Sequence, residues 1–339
     1  MAGVAVADGY VAIGGIRTRC TGLCDTRLVQ DGRARLPARV VAGDKVRLVS
    51  PASYPDPGWI EESVRILEGW GLIAEVGEHA LARWGYMAGR DSERLADLNE
   101  AFRDPAVRAV ITTRGGAGAY RIADDIDFGA VRADPKPVVG FSDITYLHLA
   151  LWQHCRVPAI HGCLAGTTAM STVRQLLMTT DPLVLKRDTA AVSAAIRVGG
   201  HARGRLIGGS LTAVATSVGV RLPDLKGAIL FLEAHREIGL GLVDRQLTQL
   251  VRSKALDGVA GIALGSFHGF GGLEDRGWTI LDVLHDRLGS LGVPVLGGLF
   301  CGHDLAGAGG GPDQSAIPVG AMAVLDADQG SLTLEPCAR

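Results

Sequence analysis

From Val40 onward the apolar positions fall into two alternating rhythms. In "GDKVRLVSPAS" a short apolar run over Lys45 to Ser50 predicts a buried strand, which Pro51 stops. "PGWIEESVRILEGWGL" then repeats apolar side chains at helical spacing and ends at Gly71. "IAEVGE" predicts a second strand. "DSERLADLNEAFRDPA" predicts a helix whose acidic start suits the positive end of the helix dipole. "VRAVITTRGGAG" reads as a strand running into glycines, Asp124, Asp125 and Asp127 mark a loop, and "KPVVGFSDI" passes from strand to helix again. Strand and helix in strict alternation predict a parallel sheet with crossover helices.

Past His161 the pattern changes. "TTAMSTVRQLLMTTDPLVL" has helical spacing, and "AAVSAAIRVGGHARGRLIGGSLTAVATSVG" reads as strands with a glycine turn. "KGAILFLEAHRE", "VAGIALGSF" and "PVLGGLF" predict buried strands, and "GLVDRQLTQLVRS" an amphipathic helix. "IPVGAMAVLDADQGSLTLEP" predicts two strands about a turn at Gln329-Gly330. These rhythms divide the chain into an N-terminal α/β domain over 38–170, a linker over 171–195 and a strand-rich C-terminal domain over 196–339. Residues 1–37 are rich in Gly, Arg and Thr with weak periodicity, and are expected to form a poorly ordered extension.

A length of 339 residues agrees with two domains. Apolar residues make up 47% but aromatic ones only 5%, so the core must be aliphatic, as in parallel-sheet proteins. A net charge of −2 without long basic runs gives no footprint for nucleic acid. The near-uncharged run "LGSLGVPVLGGLFCG" is broken by Pro294 and glycines and falls short of a membrane span. The first residues have no basic leader, so a secretory signal is not expected. Six scattered cysteines without a Cys-x-x-Cys pair read as reduced thiols of a cytoplasmic protein. Cys20 and Cys24 have helical spacing for a metal, but no second pair completes four ligands.

Ligands of open α/β sheets bind at the carboxyl ends of the strands. Two loops stand there, "TTRGGAG" and "GFSDIT". In the second, a strand turns directly into a helix, Gly140 relieves crowding, and Ser142 is presented as on a nucleophile elbow. The amide of Asp143 then opens the helix and can meet an oxyanion. The usual elbow has glycine where this chain has Ile144, and Ser142 reads equally well as a helix cap. Arg114, Gly115 and Gly116 can present backbone N–H groups to an anion, or can simply make a tight turn; no phosphate-loop or dinucleotide motif is complete. A nucleophilic serine needs a base and an orienting acid. Among nine histidines, His303 lies just past a buried strand on a glycine-flanked turn. Glu233 ends an otherwise apolar strand, where a carboxylate is costly without a partner. Either could also be a satisfied polar residue with no catalytic part.

In order along the chain, "GDKVRLVSPAS", "GRDSERLADLNEAFRDPAVRAVITTRGGAGAYRI", "KPVVGFSDIT", "GRLIGGSLTAV", "LKGAILFLEAHRE" with "VDRQLTQL", and "GLFCGHD" resemble the serine LD-carboxypeptidase family, which includes the microcin C self-immunity peptidases. The resemblance implies an N-terminal flavodoxin-like domain and a smaller strand-rich α/β domain, with the site in the cleft between them. It implies a triad of Ser142, Glu233 and His303, an oxyanion hole from the backbone of Asp143 and Gly116, and substrate contacts at Arg114, Gly115 and Ser210. No metal or other cofactor is implied, and a homodimer is.

The reaction so implied is release of a C-terminal D-residue, D-Ala, from a murein tetrapeptide through an acyl-enzyme. This chain departs from the family pattern at Ala117, Ser210, Val243 and Cys301, none of them a catalytic group. A cleft lined differently leaves two alternatives, hydrolysis of a peptidyl or aminoacyl conjugate, as in antibiotic self-immunity, and a non-catalytic module that binds such a peptide. A nucleotide-dependent enzyme finds no phosphate motif.

Overall fold

Two sheets share the work of the fold in residues 34–339. In the computed structural model, residues 6–7, 10–13, 16–19, 33–303 and 313–339 are described. Residues 1–33 are one unit, whose described residues form a three-stranded antiparallel sheet, β1 (Val6–Ala7), β2 (Tyr10–Ile13) and β3 (Ile16–Arg19). Regular strands therefore occur where no element was expected. Cys20 and Cys24 lie outside the described residues.

Residues 34–339 form the other unit. Its first sheet holds β4 (Lys45–Val49), β5 (Ile73–Val76), β6 (Val107–Thr112), β7 (Val138–Gly140) and β8 (Ala159–His161). These run parallel in the spatial order β5-β4-β6-β7-β8, the second-first-third-fourth-fifth order of flavodoxin-like sheets. The crossovers are α1 (Pro57–Gly69), α2 (Asp91–Arg103), the short α3 (Ala119–Ile122) and α4 (Phe128–Ala133), and α5 (Thr145–Cys155). Asp56 caps α1, and Pro57 suits its first turn. At the other end of α2 the buried Lys136 donates to the carbonyls of Ala101, Phe102 and Asp104, which removes the cost of burying its charge alone.

α6 (Thr167–Met178) and β9 (Leu183–Lys186) follow, so the 171–195 stretch is not the bare linker expected of it: β9 is an edge strand of the second sheet. That sheet orders β10 (Arg197–Val198), β11 (His201–Ser210), β12 (Ile229–His235), β13 (Gly261–His268), β14 (Val295–Leu296), β16 (Met322–Asp326) and β17 (Ser331–Leu334) as β10-β14-β13-β12-β11-β16-β17-β9. Its middle strands β11 to β14 are parallel and the outer pairings antiparallel. The stretch after Ser210, expected as strand and turn, forms α7 (Leu211–Thr216), and α8 (Leu240–Arg252) and α9 (Ile280–Leu288) follow β12 and β13. The tail makes three strands rather than two. β15 (Ile317–Val319) leaves the second sheet and pairs antiparallel with β8 of the first.

One continuous core joins residues of both sheets, among them Leu48, Ile111 and Val139 with Leu206, Phe231 and Leu332. Apolar faces on both sides explain why the central strands read as unbroken apolar runs. Among the described residues, no helix is long and apolar enough to cross a membrane.

Candidate active site

β7 ends at Gly140, where a Cβ would lie 2.3 Å from Thr112 Oγ1 and 2.7 Å from Ile144 Cγ2. Only glycine lets the chain turn so tightly here. Phe141 is still extended, and Ser142 then takes φ +61° before a single 3₁₀ turn feeds α5. For a residue with a side chain the left-handed region costs about 1–2 kcal/mol, and the reward is a hydroxyl held out from the turn. A helix cap would need no such angle.

The other two groups come from the second sheet. Glu233 sits on β12 at a register shift against β13, where Leu232 pairs with Leu264 and Ala234 with Phe267, so the extra residue of the bulge lies on β13. Its side chain is fully buried. Gly302, with φ +131°, lets the backbone press on Glu233, since a Cβ there would lie 2.6 Å from Oε2. The N–H of Gly302 donates to Gln314 Oε1, which fixes the turn that delivers His303. Ser142 Oγ lies 3.0 Å from His303 Nε2, and Nδ1 lies 2.6 Å from Glu233 Oε2. One residue within β12 and two from the loops after β7 and β14 thus form one hydrogen-bonded relay.

Burial alone would raise the Glu233 carboxyl, but the charge and hydrogen bond of His303 outweigh it, so the group is held below its usual range. The imidazole of His303 is flanked by the Phe141 ring at 5.2 Å and the His235 ring at 4.5 Å.

The glycine loop packs directly on the serine. A Cβ on Gly115 would lie 2.7 Å from Ser142 Cβ, and one on Gly116, at φ +99°, 2.3 Å from Ser53 Oγ. Ser53 Oγ accepts from the N–H of Ala117, and the N–H of Ser53 donates to Gly115 O. Asp143 Oδ2 accepts from the N–H of Ala119. Burial pushes the Asp143 carboxyl up to about 6. The buried Arg94 of α2 donates to the carbonyls of both Pro51 and Gly118, clamping the two loops together. The backbone around Ser142 is therefore preorganised, which is what an oxyanion site requires. Gly116→Ala is expected to lower kcat by about 10²–10³ and to cost about 1–3 kcal/mol in strain. Steady-state kinetics beside thermal unfolding separates the two losses.

Ser142 and His303 line a cavity of about 680 Å³ with Arg114, Gly115 and Gly116. Ser210 does not line it. It is buried at the end of β11, and its N–H donates to Thr145 Oγ1, because the strand points that residue into the joint between β11 and α5. Sequence reasoning missed Ser53 and Arg94, and also Trp59, Glu62, His235 and Glu237, which are among the lining residues. Trp59, Glu62 and Ile66 lie three and four apart on one face of α1, the single pattern that could have revealed any of them. His148 is buried on α5, away from the cavity.

Among the described residues one grouping has metal-ligand chemistry, His201, Asp326 and Asp328. His201 Nε2 already lies 3.0 Å from Asp326, and none of the three lines the cavity. Burial pushes the thiols of Cys155 and Cys163 up to about 11 and that of Cys337 up to about 12, which disfavours the thiolate and with it nucleophilic chemistry.

Known proteins resemble this chain in sequence and fold. The LD-carboxypeptidase N-terminal domain matches residues 46–162, and the LD-carboxypeptidase C-terminal domain matches residues 203–325. A Streptomyces coelicolor protein assigned to the carboxypeptidases is 38% identical over 312 residues, 88% of this chain and 96% of its own. The murein tetrapeptide carboxypeptidase of Pseudomonas aeruginosa is 33% identical over 298 residues, 84% of this chain and 94% of its own. The crystal structure of an MccF-like protein from Bacillus anthracis superposes with a TM-score of 0.77 at 23% identity, over 89% of this chain and all of the other.

Proposed function

The chain belongs to the LD-carboxypeptidase family, and from that premise we propose that it is a serine carboxypeptidase that removes a C-terminal D-residue from a short murein peptide. The observation that carries this reading is the relay from Ser142 Oγ through His303 to the buried Glu233, opening on one cavity. His303 Nε2 takes the proton of Ser142 as Oγ attacks the carbonyl of the last peptide bond. The N–H groups of Asp143 and Gly116 receive the oxyanion. Collapse expels the D-amino acid, which leaves with the proton held on His303, and water repeats the cycle on the acyl-enzyme. Glu233 keeps Nδ1–H in place and balances the imidazolium.

Arg114 is the one arginine or lysine lining the cavity among the described residues. Its guanidinium lies 5.5 Å from the Trp59 ring and donates to Tyr54 O, so it is steadied at the wall beside the serine. A free C-terminal carboxylate is its natural partner. Hydrogen bonds of that charged kind contribute about 1.5–3 kcal/mol. Arg114→Gln is therefore expected to raise KM about 10- to 100-fold with a smaller change in kcat. Blocking the substrate carboxylate as an amide should hurt the wild type and leave the variant nearly indifferent.

The reading is tested by incubating the protein with a murein tetrapeptide ending in D-Ala and weighing the products. Free D-Ala and a tripeptide are expected. Intact tetrapeptide, with amine released instead from an aminoacyl sulfamoyl nucleotide, would shift the assignment to an immunity-type hydrolase. Both compounds recovered intact would leave a binding module.

A further inference from the structure

Behind the relay lies a second imidazole that the mechanism above does not use. His161 ends β8 and is paired in register with Gly140, the last residue before the elbow. Its ring is buried, walled by Phe141 and Phe231, and among the described residues neither ring nitrogen has a hydrogen-bond partner. Glu233 shows the complementary deficit. Oε2 is engaged by His303, while Oε1 is buried without a described partner. These two orphans face each other, His161 Nε2 standing 3.8 Å from Glu233 Oε1. Each unsatisfied buried group costs about 1–3 kcal/mol, and one hydrogen bond removes both costs. Closing the gap needs a movement of less than about 1 Å.

We propose that His161 is a positioning residue of the triad, a neutral imidazole that donates Nε2–H to Glu233 Oε1 and so sets the rotation of the carboxylate toward His303. This inference rests on the serine relay described above. Burial pushes His161 down to about 3, so the ring carries a single N–H throughout the working range. The other titratable groups packed against it are His303 and His148, and His148 is itself held at about 3 by burial. His235, whose ring lies 4.5 Å from that of His303, is also lowered by burial. Among these imidazoles, His303 is the one hydrogen-bonded to the carboxylate. A carboxylate that loses a donor becomes more basic and holds an imidazolium more tightly. Without His161, His303 would stay protonated to higher pH, and the acid limb of the rate profile would move upward.

The test follows the rate at which a fluorophosphonate probe labels Ser142, as a function of pH, in the wild type, His161→Phe, His161→Leu and His161→Gln, with melting measured alongside. Outer donors of this kind are worth about 10- to 100-fold where they orient a ligand histidine, and a loss in that range is expected for Phe and Leu, with the acid limb displaced to higher pH. Gln, which keeps an N–H, should recover most of the rate and the original limb. Equal labelling in all four overturns the inference, and so does a loss shared by Gln with an unmoved limb, since that is what a packing role would produce. A wild type that labels no faster than Ser142→Ala overturns the serine relay itself, and the role of His161 with it.

Discussion

Ser142→Ala is expected to lower amine release by about 10⁴-fold or more while leaving the fold intact. The hydroxyl is the only atom removed, and its partner is a histidine at 3.0 Å, so no large cavity opens in a core. What survives is the preorganised backbone of the glycine loop, which still binds and polarises a carbonyl without attacking it. The backbone angle supplies a second, independent readout. Ser142 holds φ +61°, a region that alanine finds as costly as serine and glycine finds free. Ser142→Gly should therefore be as inactive as the alanine variant yet melt higher, by about 1 kcal/mol in stability. An elbow predicts this pairing of lost turnover with gained stability, whereas a serine serving as a helix cap predicts the reverse. Thermal unfolding of the two variants beside product mass spectrometry decides the matter. Substantial D-Ala release by Ser142→Ala would remove the serine from the chemistry.

How much of this could be read along the chain differs from residue to residue. Ser142 was legible because a strand that turns straight into a helix at a glycine is a local pattern, although the closest contact at Gly140 comes from Thr112 on the neighbouring strand. Glu233 was legible as one carboxylate in a strand that is otherwise apolar, and His303 as a histidine leaving a buried strand between glycines. Their meeting was not legible from periodicity at all. It depends on which strands become neighbours, and that is why the family resemblance was needed to join them. The same limit explains the misplaced tail. Ile317–Val319 has the apolar pattern of any buried strand, and nothing in it says that it pairs with β8 rather than with its own hairpin. α7 was hidden because six residues are too few to show helical spacing after a glycine-rich strand. Arg94 looked like one more charge on a helix face, although it is buried and clamps two loops through their carbonyls. His161 gave no signal either, since a histidine ending a short apolar strand has many ordinary explanations.

Glu233→Gln is the second large effect, expected at about 10³–10⁴-fold in kcat with KM little changed. The amide is nearly the same shape, so the loss comes from charge and tautomer. Through its NH₂ group it would hold Nδ1 as an acceptor, which places the imidazole proton on Nε2, where it blocks proton transfer from Ser142. Through its carbonyl it would keep the useful tautomer but lose the charge that stabilises the imidazolium. The pH dependence of stability checks the same charge without any substrate. Burial would raise the Glu233 carboxyl, yet His303, with His161 and His235 behind it, holds the group below its ordinary 4.5. A carboxyl that is lower in the folded state contributes stability that is complete above the unfolded value and is lost as pH falls through the folded one. The wild type should therefore melt above the Gln variant at neutral pH, and the gap should close as the pH is brought down through 4.5 and below. Melting curves recorded from neutral to acid pH measure this directly. A gap that stays constant across that range would mean that Glu233 is not ionised beside His303, and a neutral acid there could neither orient the imidazole nor balance its charge.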